Sequence, residues 1–182
     1  MKFLKSQKGA ALVLLLAVAF GLIFGTYRST MAEQKKVVAV FQDGLEERFL
    51  RQADAGYNLC SVANRYLENK TLINNIRNLC DLMYDPDMDT MLQRIENYFY
   101  AEQVLRKNGQ ELIGQLQSAG LSDQDAQHVR GLEQELTNGS FVISHYGEYY
   151  AAVAHFNGKV LNGLGRLLGI EPVAGVRAEF GA

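Results

Sequence analysis

Apolar and polar positions alternate differently in three parts of the chain. The first part is an uncharged run from Gly9 to Tyr27, within "MKFLKSQKGAALVLLLAVAFGLIFGTYRST". Its nineteen residues, at 1.5 Å each, would cover roughly 28 Å, close to the ~30 Å hydrocarbon core of a bilayer. A secretory signal has a shorter apolar region, about 7–15 residues, closed by a small-residue cleavage site. Thr30-Met31-Ala32 is a poor version of such a site and lies beyond the apolar run. Residues 9–27 are therefore expected to form an uncleaved transmembrane anchor, with residues 1–8 as its basic flank and the lipid bilayer as a partner. Lys2, Lys5, Lys8 and the α-amine outweigh Arg28, Lys35 and Lys36. The expectation is a single-pass protein whose soluble part is extracytoplasmic.

From Met31 to Met83 apolar residues recur at steps of three and four. Val38, Phe41, Leu45, Phe49, Ala53, Tyr57, Cys60, Ala63 and Leu67 are followed by Ile73, Ile76, Cys80 and Met83. This spacing predicts one long amphipathic helix, with "ENKT" (Glu68 to Thr71) as a place where it could break. Pro86 in "YDPDMD" ends it, because proline disfavours helix at the residue before it. A second helix is predicted from about Asp87 to Ser118. Its seam is Met91, Ile95, Tyr98, Leu105, Leu112 and Leu116, with Glu102 and Gly109 as odd members.

The third part opens at "SAGLSDQD", where Ser122 and Asp125 resemble a capping box. A third helix follows with the seam Val129, Leu132, Leu136, Gly139, Ile143, Tyr146, Tyr150, Val153, Asn157, Val160, Leu164 and Leu167. That 3.5-residue period implies coiled-coil-like packing. No period-two alternation is long enough for a sheet. The predicted fold is all-α: the transmembrane helix, then an antiparallel bundle of three long helices over residues 28–170, then an irregular tail at 171–182.

Composition changes this picture little. The chain has 182 residues and a net charge of −2, enough for one domain with a real core and no basic field for nucleic acid. Its two prolines, Pro86 and Pro172, leave long stretches free for helices.

The residues that carry chemistry are sparse. A helical di-metal site needs two Glu-x-x-His pairs with further carboxylates. This chain offers only Asp125-x-x-His128 and His145-x-x-Glu148, with His155 lacking a carboxylate at that spacing. Cys60 and Cys80 are not a Cys-x-x-Cys pair, and on one helix they would stand about 30 Å apart. They are expected to be buried hydrophobes without a disulfide. There is no nucleophile elbow, phosphate loop or dinucleotide fingerprint. "NGLGRLLG" reads as close packing or a helix end, and the Asn138-Gly139-Ser140 triplet falls mid-helix. No cofactor, no metal and no catalysis are expected.

Four stretches resemble the LemA family, bacterial proteins with an N-terminal anchor followed by long helices. "ADAGYNLCSVANRYL" (Ala53 to Leu67) is similar to the family's R-x-x-D-L-I-P-N-L-V stretch with a later tyrosine. Arg48 or Arg51 stands for the arginine, and Asp54, Asn58, Leu59 and Tyr66 fall at matching places, while Tyr57 replaces the proline. "YYAAVAHFN" (Tyr149 to Asn157) resembles Y-N-x-A-V-x-x-Y-N through Tyr149, Ala152, Val153 and Asn157, with Tyr150 where the family has asparagine. "LLGIEPVAGVRAEF" resembles the family's closing G-F-x-P element, and "IENYF" is a shifted echo of its E-x-Y-P. The resemblance implies a membrane address and a helical fold, and brings no catalytic residues.

The function expected is a scaffold or protein-interaction module at the bilayer surface, toward an unknown protein partner or as a homo-oligomer. Asn157 and Asn58, as polar residues of the helices, are expected to fix register and partner choice. Asn157→Leu is then expected to raise stability while loosening specificity. The alternative is a ligand-sensing domain with a small-molecule pocket at Tyr146, Tyr149 and Tyr150. Asp54 and Tyr66 complete the set of structural or interaction candidates.

Overall fold

The computed structural model describes residues 7–68, 70–85, 90–137, 142–163 and 165–173, with the side chains of 7–8 and 142–145 excepted. Among the described residues all regular structure is helical. It comprises α1 (Gln7–Gly44), α2 (Glu46–Tyr66), α3 (Thr71–Tyr84), α4 (Met91–Ser118), α5 (Asp123–Thr137) and α6 (Val142–Asn162), followed by a 3-10 turn at Arg166–Leu168. They form two compact units, residues 7–37 with 150–173 and residues 38–149, so the division falls within α1 and within α6.

One helix of the described residues, Gly9–Gly44, is long and apolar enough to cross a membrane, and only 6% of its most apolar window is buried. Leu14, Leu15, Leu16, Phe20 and Leu22 are all more exposed than buried. The same helix carries Phe41 into the core of the second unit, where its ring meets Phe49, Tyr98, Phe99 and Tyr149.

The single long helix expected from Met31 to Met83 is three helices. The first interruption is slight: Leu45 leaves the helix, yet its N–H still reaches the Phe41 carbonyl at 2.8 Å and Phe49 N–H reaches the Leu45 carbonyl at 3.1 Å. Gly44, a poor helix former, sits at that joint. The second is a reversal. Leu67 turns extended (φ −116°, ψ 135°), and the Lys70 ammonium donates to the carbonyls of Asn64 (3.2 Å) and Leu67 (2.7 Å). A cation on the last carbonyls of a helix satisfies acceptors that have no intrahelical partner and suits the dipole there. The chain then folds back, and α3 packs along α2.

In this second unit α2 touches α3, α4 and α5, α3 also touches α4, and α4 also touches α5. Most of the seam read from the sequence is buried: Phe41, Leu45, Phe49, Ala53, Cys60 and Ala63 on the first two helices, Ile73, Ile76, Cys80 and Met83 on α3, while Val38, Tyr57 and Leu67 are only half-buried. On α4 both odd members have reasons. Glu102 is buried beside Arg106, with which it pairs. A Cβ on Gly109 would stand 3.1 Å from the Leu136 side chain of α5.

The third helix departs further from its prediction. Residues 138–141 lie outside the described residues, and with them Gly139 and the glycosylation-like triplet. Val129, Leu132 and Leu136 are buried as expected. On α6, however, the buried face is Tyr146, Tyr149, Val153, Phe156 and Val160. Tyr150 and Asn157, which the heptad count placed on the seam, are only half-buried on its flank. The helix also ends at Asn162 rather than continuing through Leu167. Leu167 is 82% exposed, in a 3-10 turn closed by Gly169 at φ 71°, a left-handed conformation that glycine adopts without a Cβ clash.

Candidate functional site

Two of the three tyrosines proposed to line a pocket, Tyr146 and Tyr149, belong to a packed aromatic cluster. In the second unit Phe41, Phe49, Tyr98, Phe99, Tyr146 and Tyr149 meet ring to ring at 5.0–6.4 Å, in stacked, tilted and edge-on arrangements. Phe99 touches both Tyr146 (5.6 Å) and Tyr149 (5.3 Å). Such contacts fill the space a ligand would need, and each is worth about 0.5–1.5 kcal/mol beyond burial. Tyr98 is held on its other side by Arg94, whose guanidinium lies 6.0 Å from the ring centre and 3.6 Å from Glu46. Burial raises the Tyr98 phenol's pKa. Tyr150 lies in the other unit, half-buried.

Asn157 holds the following segment of its own chain. Its amide donates to the Val173 carbonyl at 2.8 Å and accepts from the Val173 N–H at 2.9 Å. Both ends of a partly buried amide are thus bonded, as its burial requires. The partner is the backbone beyond the 3-10 turn, where Ile170 and Val173 are buried. The register role expected for Asn157 gives way to this local one.

The α2 candidates separate. Asn58 is exposed, so the buried register role expected for it does not hold: it falls on the outer face, between the inward positions Ala55 and Leu59. Asp54 is also exposed and accepts a hydrogen bond from the Tyr84 hydroxyl at 2.8 Å. A second pair crosses the same two helices, with the Tyr57 hydroxyl donating to Asp81. The two rings lie 6.2 Å apart. Burial, with the carboxylate second, pushes Tyr84 up to about 12, and it pushes Tyr57 up as well. The hairpin of α2 and α3 therefore shows two Tyr–Asp pairs side by side.

Tyr66 meets α5 at its start. Its hydroxyl donates to Asp125 at 2.5 Å, and Arg65 pairs with the other carboxylate oxygen at 2.7 Å. The capping box is present in part: Asp125 N–H reaches the Ser122 hydroxyl at 3.2 Å, and that hydroxyl donates to Asp125 at 3.1 Å. The Tyr66 hydrogen bond is the main reason the Asp125 carboxyl is held below its ordinary range, with Ser122 and Arg65 adding to it.

Sequence reasoning missed three further arrangements. Arg48 and Gln52, both buried, reach the end of α5: Arg48 donates to the Glu135 carbonyl at 3.2 Å and Gln52 to that of Leu136 at 3.5 Å. Their spacing of four on an otherwise apolar face was a usable signal. In the first unit Glu33 accepts from Lys36 at 3.1 Å and Lys159 at 2.9 Å, with His155 3.7 Å away. Beside it a groove of about 780 Å³ runs between α1 (Gly21, Gly25, Ser29) and α6 (Ala154, Gly158, Asn162). His145's side chain lies outside the described residues.

The thiols are near neighbours rather than distant. Cys60 lies 3.4 Å from the Ile73 carbonyl, and a Cβ on Gly56 would stand 2.6 Å from the Cys80 sulfur. Both are free and buried. Burial pushes Cys60 up to about 11 and Cys80 up to about 12, which leaves almost no thiolate at neutral pH. Among the described residues no three His, Cys, Asp or Glu side chains converge where a metal ion would bind.

No family model, no curated protein and no solved structure matches this chain. The likeness to the LemA family rests on its sequence motifs.

Proposed function

We propose that this protein is a membrane-anchored helical interaction module, LemA-like in organisation, that performs no catalysis. The observation that carries the reading is the first part of α1, whose apolar side chains are exposed all round while Phe41, Phe49, Tyr98, Phe99, Tyr146 and Tyr149 of the second unit are packed away. A helix apolar on every side is stable in water only if something covers it, and a bilayer does so. The anchor is residues 9–27, with the basic N-terminus inside and the remainder outside the cytoplasm. The pair of half-buried Tyr57 and exposed Tyr84, with its two aspartates, is the surface we assign to a protein partner. Tyrosines there present apolar area at little entropic cost, with hydroxyls already fixed by the carboxylates. Alkaline carbonate extraction of membranes from cells expressing the full chain tests the anchor. The protein is expected in the pellet at full length, and a soluble species starting near Glu33 would overturn the reading.

A further inference from the structure

The end of α6 lies against the apolar part of α1. Lys159 bridges to Ser29 at 3.5 Å and Glu33 at 2.9 Å, just past the apolar run. Three and four residues further on, Asn162 and Gly163 line the same groove as Gly21, Leu22 and Gly25, which belong to that run. The chain thus crosses from the charged flank of α1 to the level of its apolar residues. Next to these residues two large apolar side chains are more exposed than buried: Leu161 is 55% exposed and Leu167 82% exposed.

The groove itself is open there. A Cβ added at Gly21, Gly25 or Gly158 would meet nothing within 4 Å. Small residues leave room between the two helices, and among the described residues of this unit no side chain fills it. Around this level the charges are mostly positive. Arg28, Lys35, Lys36, Lys159 and Arg166 stand against Glu33 and Glu171 in residues 28–37 and 155–173. Glu33 is already taken by Lys36 and Lys159. Tyr27, the last residue of the apolar run and 46% exposed, has the amphipathic ring favoured at the headgroup level.

An exposed turn next to a hydrocarbon phase must satisfy its own backbone. This one does. Leu168 and Ile170 N–H groups reach the Gly165 carbonyl at 3.0 and 3.1 Å, Gly169 N–H reaches that of Arg166 at 3.2 Å, and the Asn157 amide takes both polar groups of Val173.

We propose that residues 161–163 and 165–168 are a second lipid contact, which sets Leu161 and Leu167 into the acyl–headgroup boundary of the leaflet in which residues 21–27 end. Arg166 and Lys159 meet anionic headgroups above it. The occupant is the lipid surface, because the segment lies beside the apolar run and carries leucine next to cations, the composition of interfacial anchors. This rests on the membrane reading of residues 9–27.

The chain has no tryptophan, so a single introduced one reports its own surroundings. Full-length Leu167→Trp and Val18→Trp, each changed at an exposed position, are reconstituted in vesicles of phosphatidylcholine and phosphatidylglycerol. Val18 is the middle of the proposed span and reports on the anchor alone. Leu167→Trp is expected to emit at shorter wavelength than in water, to be shielded from iodide, and to be quenched by lipids brominated high on the acyl chain. Val18→Trp is expected to be quenched by lipids brominated deep. If Val18→Trp is quenched while Leu167→Trp stays open to iodide, the second contact is wrong and the anchor stands. If neither is quenched, both fail. A Leu167→Trp signal that is shielded but unquenched by brominated lipid, and that is lost on dilution with excess lipid, would show a second copy covering the turn and would also overturn the proposal.

Discussion

Asn157 marks how far a single residue can be read from spacing. The heptad count put it on a seam, and removal of its polarity was expected to stabilise the fold. In the structure its amide makes two hydrogen bonds to Val173, a residue only 2% exposed. Leucine at 157 would strand a buried N–H and a buried carbonyl. Each bond contributes about 1 kcal/mol net, and an unsatisfied buried group costs about 1–3 kcal/mol. Asn157→Leu is therefore expected to destabilise the protein by about 1–3 kcal/mol and to expose the chain after Gly169 to protease. Thermal melts of the full chain in detergent, with limited proteolysis, check this; an unchanged or higher melting temperature would restore the seam reading.

Asp125 gives a pH-dependent counterpart. Its carboxyl is held below the ordinary aspartate value, chiefly by the Tyr66 hydroxyl and also by Ser122 and Arg65. A group whose folded pKa is lowered stabilises the fold above its unfolded pKa, and the contribution is lost as pH falls through the folded one. Melting temperature is expected to decline as pH drops below about 4. In Asp125→Asn, which begins less stable at neutral pH, that acid decline is expected to be shallower. Equal slopes in both proteins would show that Asp125 is not coupled to folding. Ser122 was legible as a partner of Asp125, but Tyr66 and Arg65 could not be chosen from sequence, since they lie 59 and 60 residues away.

At the scale of elements, the phase of a helix was legible where its buried face was purely apolar, and drifted where tyrosines surrounded it. The seam of α2, α3 and α4 emerged correctly apart from Tyr57 and Met91, which are only half-buried, and so did Ser122 as the cap of α5. On α6 a run of three tyrosines, Tyr146, Tyr149 and Tyr150, fits two phases about equally. Burial follows Tyr149 and Phe156, and the expected Tyr150 and Asn157 fall one position off. The reversal after Tyr66 was legible only as a break, because Lys70 acts on carbonyls three and six residues before it. The hairpin it creates explains Gly56. A Cβ there would lie 2.6 Å from the Cys80 sulfur and 3.1 Å from a Leu105 methyl. Gly56→Ala is expected to lose about 1–3 kcal/mol through overpacking, against a helix-propensity gain of up to about 1 kcal/mol. Cys80→Ala opens space at the nearer contact, so the double variant is expected to be more stable than the two single losses added together. Strict additivity in the same melts would mean that α2 and α3 do not approach here.

At the scale of the whole molecule, two readings of the apolar run compete: a bilayer span, or a helix that another protein surface covers. Exposure alone serves both. They part on what a charge does at positions that no described part of this chain buries. Leu15 and Leu16 are 67% and 58% exposed and lie near the middle of residues 9–27. Arginine near the centre of a spanning helix costs about 2.5–3.5 kcal/mol per residue on insertion. The paired change Leu15→Arg with Leu16→Arg is therefore expected to move the protein from the carbonate pellet to the supernatant. The core of residues 38–149 contains neither position, so near-ultraviolet circular dichroism from its packed tyrosines is expected to keep its native form and its melting transition. A variant that stays in the pellet with native spectra would show that residues 9–27 are not held by hydrocarbon. A variant that leaves the membrane and also loses the tyrosine signal would show that the run is needed to fold the rest of the chain. The expected outcome, release with the aromatic packing intact, requires both that the run is solvated by lipid and that Phe41, Phe49, Phe99, Tyr146 and Tyr149 hold each other without it.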